Sequence, residues 1–455
     1  MDKITLFFGK QAEGVKYHWL PLSYALLTAY LDLDKIEVVV IDERIEKENT
    51  TSLIDKHTPD SILFGISASA GYQLRRSIET AKYVKNNFPE IPVVWGGAQV
   101  TALPQESMQE GFVDIIVAGR GETILPRLIN GLKEKSLNGI PGVYWKENGH
   151  IQGIPNTEYM DLDSVPSWPY HIFKVKEYLN PKTMAINLTT TYGCPNRCGF
   201  CFWYKNKSTW SAFNAQRVYK EVKYFKDNYG VKDVYFLDSD FMADIPRALE
   251  IARLLKGLDI TYTTNSRVSD IALLNESDFK LLEESGCYSL QIGLESASQR
   301  MLKLMSKNIK LDDVEKIVKD IRATEIIPVF SLIFQLPTET LEDMKVTHEF
   351  VLKLKRLNPK VSIMTTMYNH LPNLPLTRLA VKHGLILPEN MEGWSTDEYI
   401  KSTSYVNKPW MDEDFAREYE LLFNQLFVDE GGGINLCQNM SVLRPELCGE
   451  SVSYE

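Results

Sequence analysis

Thr191-Tyr-Gly-Cys194-Pro-Asn-Arg-Cys198-Gly-Phe-Cys201-Phe-Trp-Tyr204 sets three cysteines at CxxxCxxC spacing, just after the apolar run Met184-Ala-Ile-Asn-Leu-Thr. Thiolates are soft ligands that suit zinc and iron–sulfur clusters. A closed structural zinc site takes four ligands, and no fourth Cys or His stands at finger or knuckle spacing nearby. Three thiolates on a 4Fe-4S cluster leave one iron open to an outside ligand, so the loop reads as a cluster that binds something. An incomplete zinc site, or free thiols gathered by chance, is the competing reading.

Working outward, a chain of 455 residues exceeds what one hydrophobic core usually serves, so two or three domains are expected. Its 44 % apolar and 24 % charged residues describe an ordinary soluble globular protein. The net charge of −10 argues against a nucleic-acid partner, whose affinity rests on Lys and Arg. Six cysteines in so long a chain are no disulfide framework, and a reducing cytoplasm is the expected location. No apolar run reaches the ~18–20 residues of a membrane span. The start reads as a first strand, not a signal peptide.

Before the cysteines, apolar runs alternate with helical patterns: Ile4–Phe8, Glu37–Ile41, Ser61–Ser67, Pro92–Trp95 and Asp114–Ala118, with helices between. That alternation predicts a parallel, doubly wound sheet, whose ligands bind beyond the strand C-termini. Small and polar residues gather on those loops: Ser67-Ala-Ser69-Ala-Gly71, Gly96-Gly97-Ala-Gln99-Val-Thr101 and Gly119-Arg-Gly121-Glu122-Thr123. Any one of them alone reads as a tight turn. Three on one edge point to a ligand site. No Gly-x-Gly-x-x-Gly opens the first helix, which disfavours a dinucleotide.

After a proline-punctuated stretch, Met160–Tyr170, and the cysteine loop, more strand–helix units follow. Their strands end in Asp238-Ser239-Asp240, Arg267, Glu295-Ser296, Gln335-Leu-Pro-Thr338-Glu339-Thr340 and Tyr368-Asn-His370. Polar residues at the C-termini of six such units describe a partial TIM-like barrel with its chemistry on that edge.

The cysteine loop, with Phe200 before its third Cys, resembles the radical S-adenosylmethionine (SAM) enzymes. The N-terminal stretches resemble the cobalamin-binding domain that precedes the radical SAM domain in one large subfamily: Leu20-Pro-Leu-Ser-Tyr-Ala, Gly65-Ile-Ser-Ala-Ser, Val93-Val-Trp-Gly-Gly, Asp114-Ile-Ile-Val and Gly-x-Gly-Glu122-Thr. The Asp-x-His-x-x-Gly signature, whose His ligates cobalt, is absent, and His18 and His57 lie elsewhere. The resemblance therefore implies cobalamin without a His ligand, with Gln99 where relatives often have His.

The resemblance implies an α/β chain in four parts: a Rossmann-like cobalamin domain over 1–150, a linker over 151–183, a partial (β/α)6 barrel over 184–370, and a mostly helical region over 371–455 closing the barrel. It implies that Cys194, Cys198 and Cys201 hold the 4Fe-4S cluster. Phe200, Asp238, Ser239, Arg267 and Glu295 would contact SAM, with Glu295 on the ribose hydroxyls and Arg267 on the methionine carboxylate. Ser67, Ser69, Gly71, Gly96, Gly97, Gln99, Thr101, Gly119, Gly121 and Glu122 would border cobalamin. Tyr204, Tyr368 and His370 are the candidate acids or bases. Cys287 reads as a buried core thiol, and Cys437 and Cys448 are not spaced for a second cluster.

Two departures fall near the substrate edge. Relatives commonly show Gly-Leu-Pro-Gly-Glu-Thr where this chain has Gln335-Leu-Pro-Thr338-Glu-Thr, and Pro-Gly-Thr where it has Pro372-Asn-Leu.

The activity implied is C-methylation of an unactivated carbon of a small molecule or peptide, by way of a 5′-deoxyadenosyl radical. An electron donor such as flavodoxin or ferredoxin would supply the reducing equivalent. Two alternatives stand beside it: the same cofactors without methyl transfer (ring contraction, cyclisation or oxidation), and a non-catalytic cobalamin-binding protein with a structural metal site. The sequence does not choose among substrates.

Overall fold

The computed structural model describes residues 1–11, 15, 17–205, 210–402 and 408–429. Tyr405, Cys437 and Cys448 lie outside the described residues. Two compact units result, the first of residues 1–160, 164–179 and 386–402, the second of 161–163, 180–385 and the chain from 403.

The first unit is built on β1 (Asp2–Phe8), β2 (Ile36–Asp42), β3 (Ser61–Ser67), β4 (Val93–Gly96), β5 (Ile115–Val117), β6 (Val143–Glu147) and β7 (His150–Gly153). They form one sheet in the order β2-β1-β3-β4-β5-β6-β7. The first five strands run parallel, as the alternation predicts. β1, β3, β4 and β5, buried on both faces, need the near-continuous apolar runs that mark them, while edge strand β2 is half-buried. The helix over Tyr72–Asn87 lays Leu74, Ile78, Ala81 and Val84 on a core that includes Phe7, Phe64 and Trp95.

The sequence reading missed β6 and β7, an antiparallel hairpin. Its turn is Asn148-Gly149, both left-handed (φ 50° and 80°), the two-residue turn that matches strand twist.

Residues 386–402, expected in a barrel-closing tail, pack instead with the first unit. Met391, Trp394 and Tyr399 enter its core. The Gly71 N–H donates to the Trp394 carbonyl at 3.0 Å, and Arg75 Nη2 donates to the Ser395 carbonyl at 2.9 Å. Aromatic burial, not closeness in sequence, decides the assignment.

The second unit carries β8 (Ala185–Leu188), β9 (Thr191–Tyr192), β10 (Ser211–Ala212), β11 (Asp233–Phe236), β12 (Thr261–Arg267), β13 (Cys287–Glu295), β14 (Ile327–Phe334) and β15 (Ser362–Met367). Six form one sheet in the order β15-β14-β13-β12-β11-β8, with β9 and β10 a small antiparallel pair beside them. All six are parallel and neighbours follow sequence order, a barrel two strands short of eight. Register pairs Phe236 with Leu188, Arg267 with Gly293, and Phe334 with Met367, so the strand C-termini share one edge. Helix starts are locally coded: Asn214 caps Ala215–Tyr229, and Thr340 with Asp343 forms a capping box on Leu341–Leu357. The expected helices of the tail form over Pro375–Lys382 and Glu413–Phe423. Phe423 and Phe427 rest on Phe334, with ring centroids 5.1 and 4.9 Å away. Among the described residues no helix is long and apolar enough to cross a membrane.

Candidate cluster and cofactor sites

The cysteine loop leaves β8 through Thr189–Thr191, and that segment is clamped. Asp238, just past β11 and 1 % exposed, accepts from the Thr190 and Thr191 N–H groups at 2.6 Å each. The hydroxyls of Thr189, Thr190 and Thr191 also donate to it, at 3.1, 2.7 and 2.9 Å. Four of these donors converge on Oδ1 and one, the Thr190 hydroxyl, reaches Oδ2. The carboxylate expected to meet SAM thus also grips the base of the loop. Ser239 accepts from Trp203 Nε1 at 2.8 Å.

Within the loop, Gly193 takes a left-handed φ of 82°, and Cys194 and Cys198 are buried. The Cys201 N–H donates to the Cys198 carbonyl at 3.1 Å, and Tyr204 N–H to the Cys201 carbonyl at 2.9 Å. Gly199 N–H donates to the Met305 carbonyl at 2.8 Å. Phe200, next along, and Tyr204 are half-buried.

Arg267, at the end of β12, sets Nη1 2.8 Å from Cys198 Sγ. Its Nε is buried without a hydrogen-bond partner among the described residues. Asn196, missed in the sequence, places Nδ2 3.7 Å from Cys194 Sγ and 3.4 Å from Asp240 Oδ2. Burial, and then Asp270 beside it, pushes the Asp240 carboxyl up to about 8.

Burial pushes the Cys194 thiol up, and the Cys201 thiol up to about 11. Such thiols become ligands when a cation replaces the proton. Among the described residues no three His, Cys, Asp or Glu side chains gather tightly enough for a single ion. A cluster places one thiolate on each of three irons and needs no such convergence. Three thiols on one pinned loop, two buried and that of Cys201 half-buried, with a bare guanidinium N–H beside them, fit a cluster with an anionic ligand.

Glu295 ends β13 in a left-handed φ of 69°. Lys307 Nζ, absent from the sequence reading, meets Oε1 at 2.6 Å, and Ser331 Oγ meets Oε2 at 3.2 Å.

Of the candidate acids and bases, Tyr368 is 1 % exposed and shares a hydrogen bond with Thr377 at 3.0 Å. Burial pushes its phenol up to about 12. Burial, then Lys408, pushes His370 down to about 4, so its imidazole is neutral near pH 7. Buried Lys408, which nothing in its sequence neighbourhood announces, is itself pushed down to about 8 by burial and donates to the Tyr368 carbonyl at 3.3 Å. Cys287 is a core thiol, buried and pushed up to about 12.

The two departures from the barrel pattern keep the shape of glycine. Gln335 and Thr338 both adopt left-handed backbone, φ 60° and 68°, as does Asn373 at 64°. Tyr419 braces the first of these loops: its OH accepts from the Gln335 N–H at 3.0 Å and donates to Glu339 Oε2 at 2.7 Å. Burial pushes the Glu339 carboxyl up to about 7.

In the first unit the candidate loops follow β3, β4 and β5 on one edge, next to the order reversal between β1 and β3 where such sheets bind ligands. Gly71, Gly97 and Gly119 take φ of 88°, 105° and 87°. A Cβ on Gly97 would stand 2.8 Å from the Ala68 carbonyl. Thr101 Oγ1 ties two loops, donating to the Gly97 carbonyl at 2.8 Å and accepting from Gly119 N–H at 2.9 Å. Gly96 is half-buried, Gly97 and Gly119 are exposed, and Ser67 and Ser69 are half-buried. Gln99, 2 % exposed, has its Nε2 without a partner among the described residues. An open glycine edge with an unused buried donor fits a large polar ligand. Gly121 and Glu122 turn inward instead. A Cβ on Gly121 would meet Leu27 at 2.9 Å, and buried Glu122 pairs with Arg120 at 3.6 Å.

Comparison with known proteins agrees with this division. The radical SAM superfamily matches residues 188–351, and the B12 binding domain matches residues 12–129. An uncharacterized methyltransferase, PH0819 of Pyrococcus horikoshii, is 30 % identical over 408 residues, 88 % of this chain and 86 % of that protein. The anaerobic magnesium-protoporphyrin IX monomethyl ester cyclase of Rubrivivax gelatinosus is 23 % identical over 348 residues, 73 % of this chain and 62 % of its own. The solved structure of the radical SAM methyltransferase TsrM from Kitasatospora setae, with cobalamin and its cluster bound, superposes with a TM-score of 0.70 at 18 % identity. It covers 95 % of this chain and 83 % of that one, a likeness of fold. The chain belongs to the cobalamin-dependent radical SAM family of methyltransferase-like enzymes. Its cofactors are a 4Fe-4S cluster and SAM in the second unit and cobalamin in the first.

Proposed function

We propose that the protein is a C-methyltransferase that adds a methyl group to an unactivated carbon of a small molecule or peptide. The observation that carries this reading is the presence, in one chain, of the three-thiol loop with Arg267 at its sulphur and the open glycine edge at Gly97 and Gly119. A one-electron-reduced cluster supplies reductive cleavage of SAM, and cobalamin supplies a carrier for the methyl group.

The chain's own residues position and insulate. Cys194, Cys198 and Cys201 would hold the cluster. Arg267 offers its bare Nε to the methionine carboxylate, where a guanidinium fork suits a carboxylate. Glu295 would accept from the ribose hydroxyls, and Phe200 would border the adenine. Asp238 acts through the threonines it grips, and the Ser239 hydroxyl keeps its proton to donate after accepting from Trp203. Gly71, Gly97 and Gly119 let the first sheet's edge approach the corrin closely.

Neutral His370 and the high-pKa phenol of Tyr368 are poor proton donors near pH 7. Tyr204, half-buried, lies three residues past Cys201. An external one-electron donor such as flavodoxin or ferredoxin is part of the proposal.

The cyclase relative supports a second reading, radical chemistry without methyl transfer. One anaerobic experiment separates the two. Protein reconstituted with iron, sulfide and cobalamin is given methyl-deuterated SAM and a strong reductant, and small molecules are read by mass spectrometry. The methyltransferase reading expects 5′-deoxyadenosine together with S-adenosylhomocysteine and transfer of the deuterated methyl to cobalamin. Deoxyadenosine alone would move the assignment to the second reading. A protein that retains no iron and forms neither product would refute both.

A further inference from the structure

We infer that Lys307 is a positioning residue for SAM: it fixes the Glu295 carboxylate in the orientation that receives the ribose hydroxyls. The inference rests on the reading of Glu295 as the ribose-binding residue.

Lys307 Nζ lies 2.6 Å from Glu295 Oε1 and 2.6 Å from the Gly293 carbonyl. The two side chains are 3 % and 10 % exposed. Buried ion pairs are weak contributors to stability, because desolvation offsets their attraction. A buried pair at a strand C-terminus on the chemical edge is better explained by the geometry it imposes.

That geometry is specific. The left-handed Glu295 backbone turns its carboxylate back along its own strand towards Gly293. A Cβ on Gly293 would stand 2.6 Å from Lys307 Nζ and 2.7 Å from Glu295 Oε1, so the ion pair fills the space a side chain would need. Ser331 Oγ holds the other oxygen at 3.2 Å. A carboxylate accepts about four hydrogen bonds. Lys307 and Ser331 take one on each oxygen, which leaves one acceptor position per oxygen for a vicinal diol.

The same turn reaches the cluster loop. The helix Gln299–Leu304 is stopped by left-handed Ser306 (φ 56°), and Lys307 N–H returns to the Leu302 carbonyl at 2.8 Å. One residue before Ser306, the Met305 carbonyl receives Gly199 N–H at 2.8 Å, between the second and third cysteines. A single turn thus sets the ribose carboxylate and the cysteine loop relative to each other.

The test is equilibrium binding to cluster-loaded protein, with SAM and its 2′-deoxy and 3′-deoxy analogues, for wild type, E295Q, K307M and K307R. Iron and sulfide are measured in the same samples. Wild type is expected to favour SAM over either analogue by roughly tenfold or more. K307M should keep its iron, lose about tenfold in SAM affinity and lose most of that discrimination, with partial recovery in K307R. K307M that binds and discriminates like wild type, while E295Q does not, overturns the inference and leaves Glu295 in its role. Wild type showing no difference between SAM and the analogues, or E295Q binding and discriminating like wild type, overturns the Glu295 assignment instead. Should K307M fail to fold, K307Q decides by the same readout, because its shorter neutral side chain withdraws the ammonium from Oε1 and leaves Gly293 and Glu295 unaltered. Retained discrimination there overturns the inference.

Discussion

Arg267 Nη1 sits 2.8 Å from the sulphur of Cys198, across from β12 to the cysteine loop. A cation that donates to a cluster sulphur makes the added electron easier to hold, because hydrogen bonds to sulphur and net charge set cluster potentials. Arg267→Gln is expected to keep the cluster but lower its midpoint potential, by on the order of 50 mV where 59 mV is a tenfold change in a one-electron equilibrium. It should also weaken SAM binding. Redox titration followed by electron paramagnetic resonance checks the first, equilibrium dialysis the second. An unmoved potential would remove the role assigned to Nη1.

Asp238→Ala strips the acceptor from five donors on Thr189–Thr191. Buried donors left unpaired cost about 1–3 kcal/mol each before relaxation, so a loss of at least ~3 kcal/mol is expected. Denaturant unfolding measures it. Iron loading should fall in parallel, because the grip lies at the base of the cysteine loop.

Gly97→Val tests the first unit. A side chain there meets the Ala68 carbonyl and opposes a φ of 105°. Cobalamin retention on gel filtration should fall at least about tenfold, the effect of ~1.4 kcal/mol. Iron content should not change. Full retention of cobalamin would place the corrin elsewhere.

His370 and Lys408 give the second unit a pH signature. His370 is held at about 4 against an ordinary 6.5. The unfolded chain therefore binds the extra proton between those values, and stability drains away as pH falls from 6.5 to 4. Lys408 is held at about 8 against 10.5. There too the unfolded chain carries the extra proton, so stability rises as pH climbs from 8 to 10.5. Each limb amounts to ~3 kcal/mol at about 1.4 kcal/mol per pH unit. Urea titrations across pH should show H370Q flattening the acid limb and K408M the alkaline limb, with K408M more stable at neutral pH.

Thr338→Gly should stabilise. Thr338 holds φ 68°, where a side chain is strained by an order of 1 kcal/mol and glycine is not. The gain is expected near that figure, less the weak contact from Arg300 Nη1 at 3.3 Å. A fall in melting temperature would mean that the threonine side chain matters more than its backbone.

The parallel strands of both sheets were legible because such strands need long apolar runs, and the cysteines because their spacing is local. Asn148-Gly149 carried an equally local hairpin signal that was overlooked. Lys307, Tyr419 and Lys408 left no such trace. Lys307 lies 12 residues from Glu295, and Tyr419 lies 80 from Glu339, so chain folding alone brings each pair together. Asp238 was found by position at a strand end, yet its work is set by three threonines 47 to 49 residues earlier. The glycine departures at 335 and 338 look like losses in one dimension. In three, the backbone keeps the turn and only the side chains differ.

The return of residues 386–402 to the first unit bears on how such a chain can be cut or inherited. Met391, Trp394 and Tyr399 complete a core begun by Phe7 and Phe64, more than 300 positions upstream. A truncation after residue 160 would strip that core of two aromatic rings and leave apolar surface open to aggregation. A single recombination crossover between the units would do the same to any hybrid gene. Exchange of the cobalamin-binding part therefore calls for three junctions, one near residue 180 and one at each end of residues 386–402.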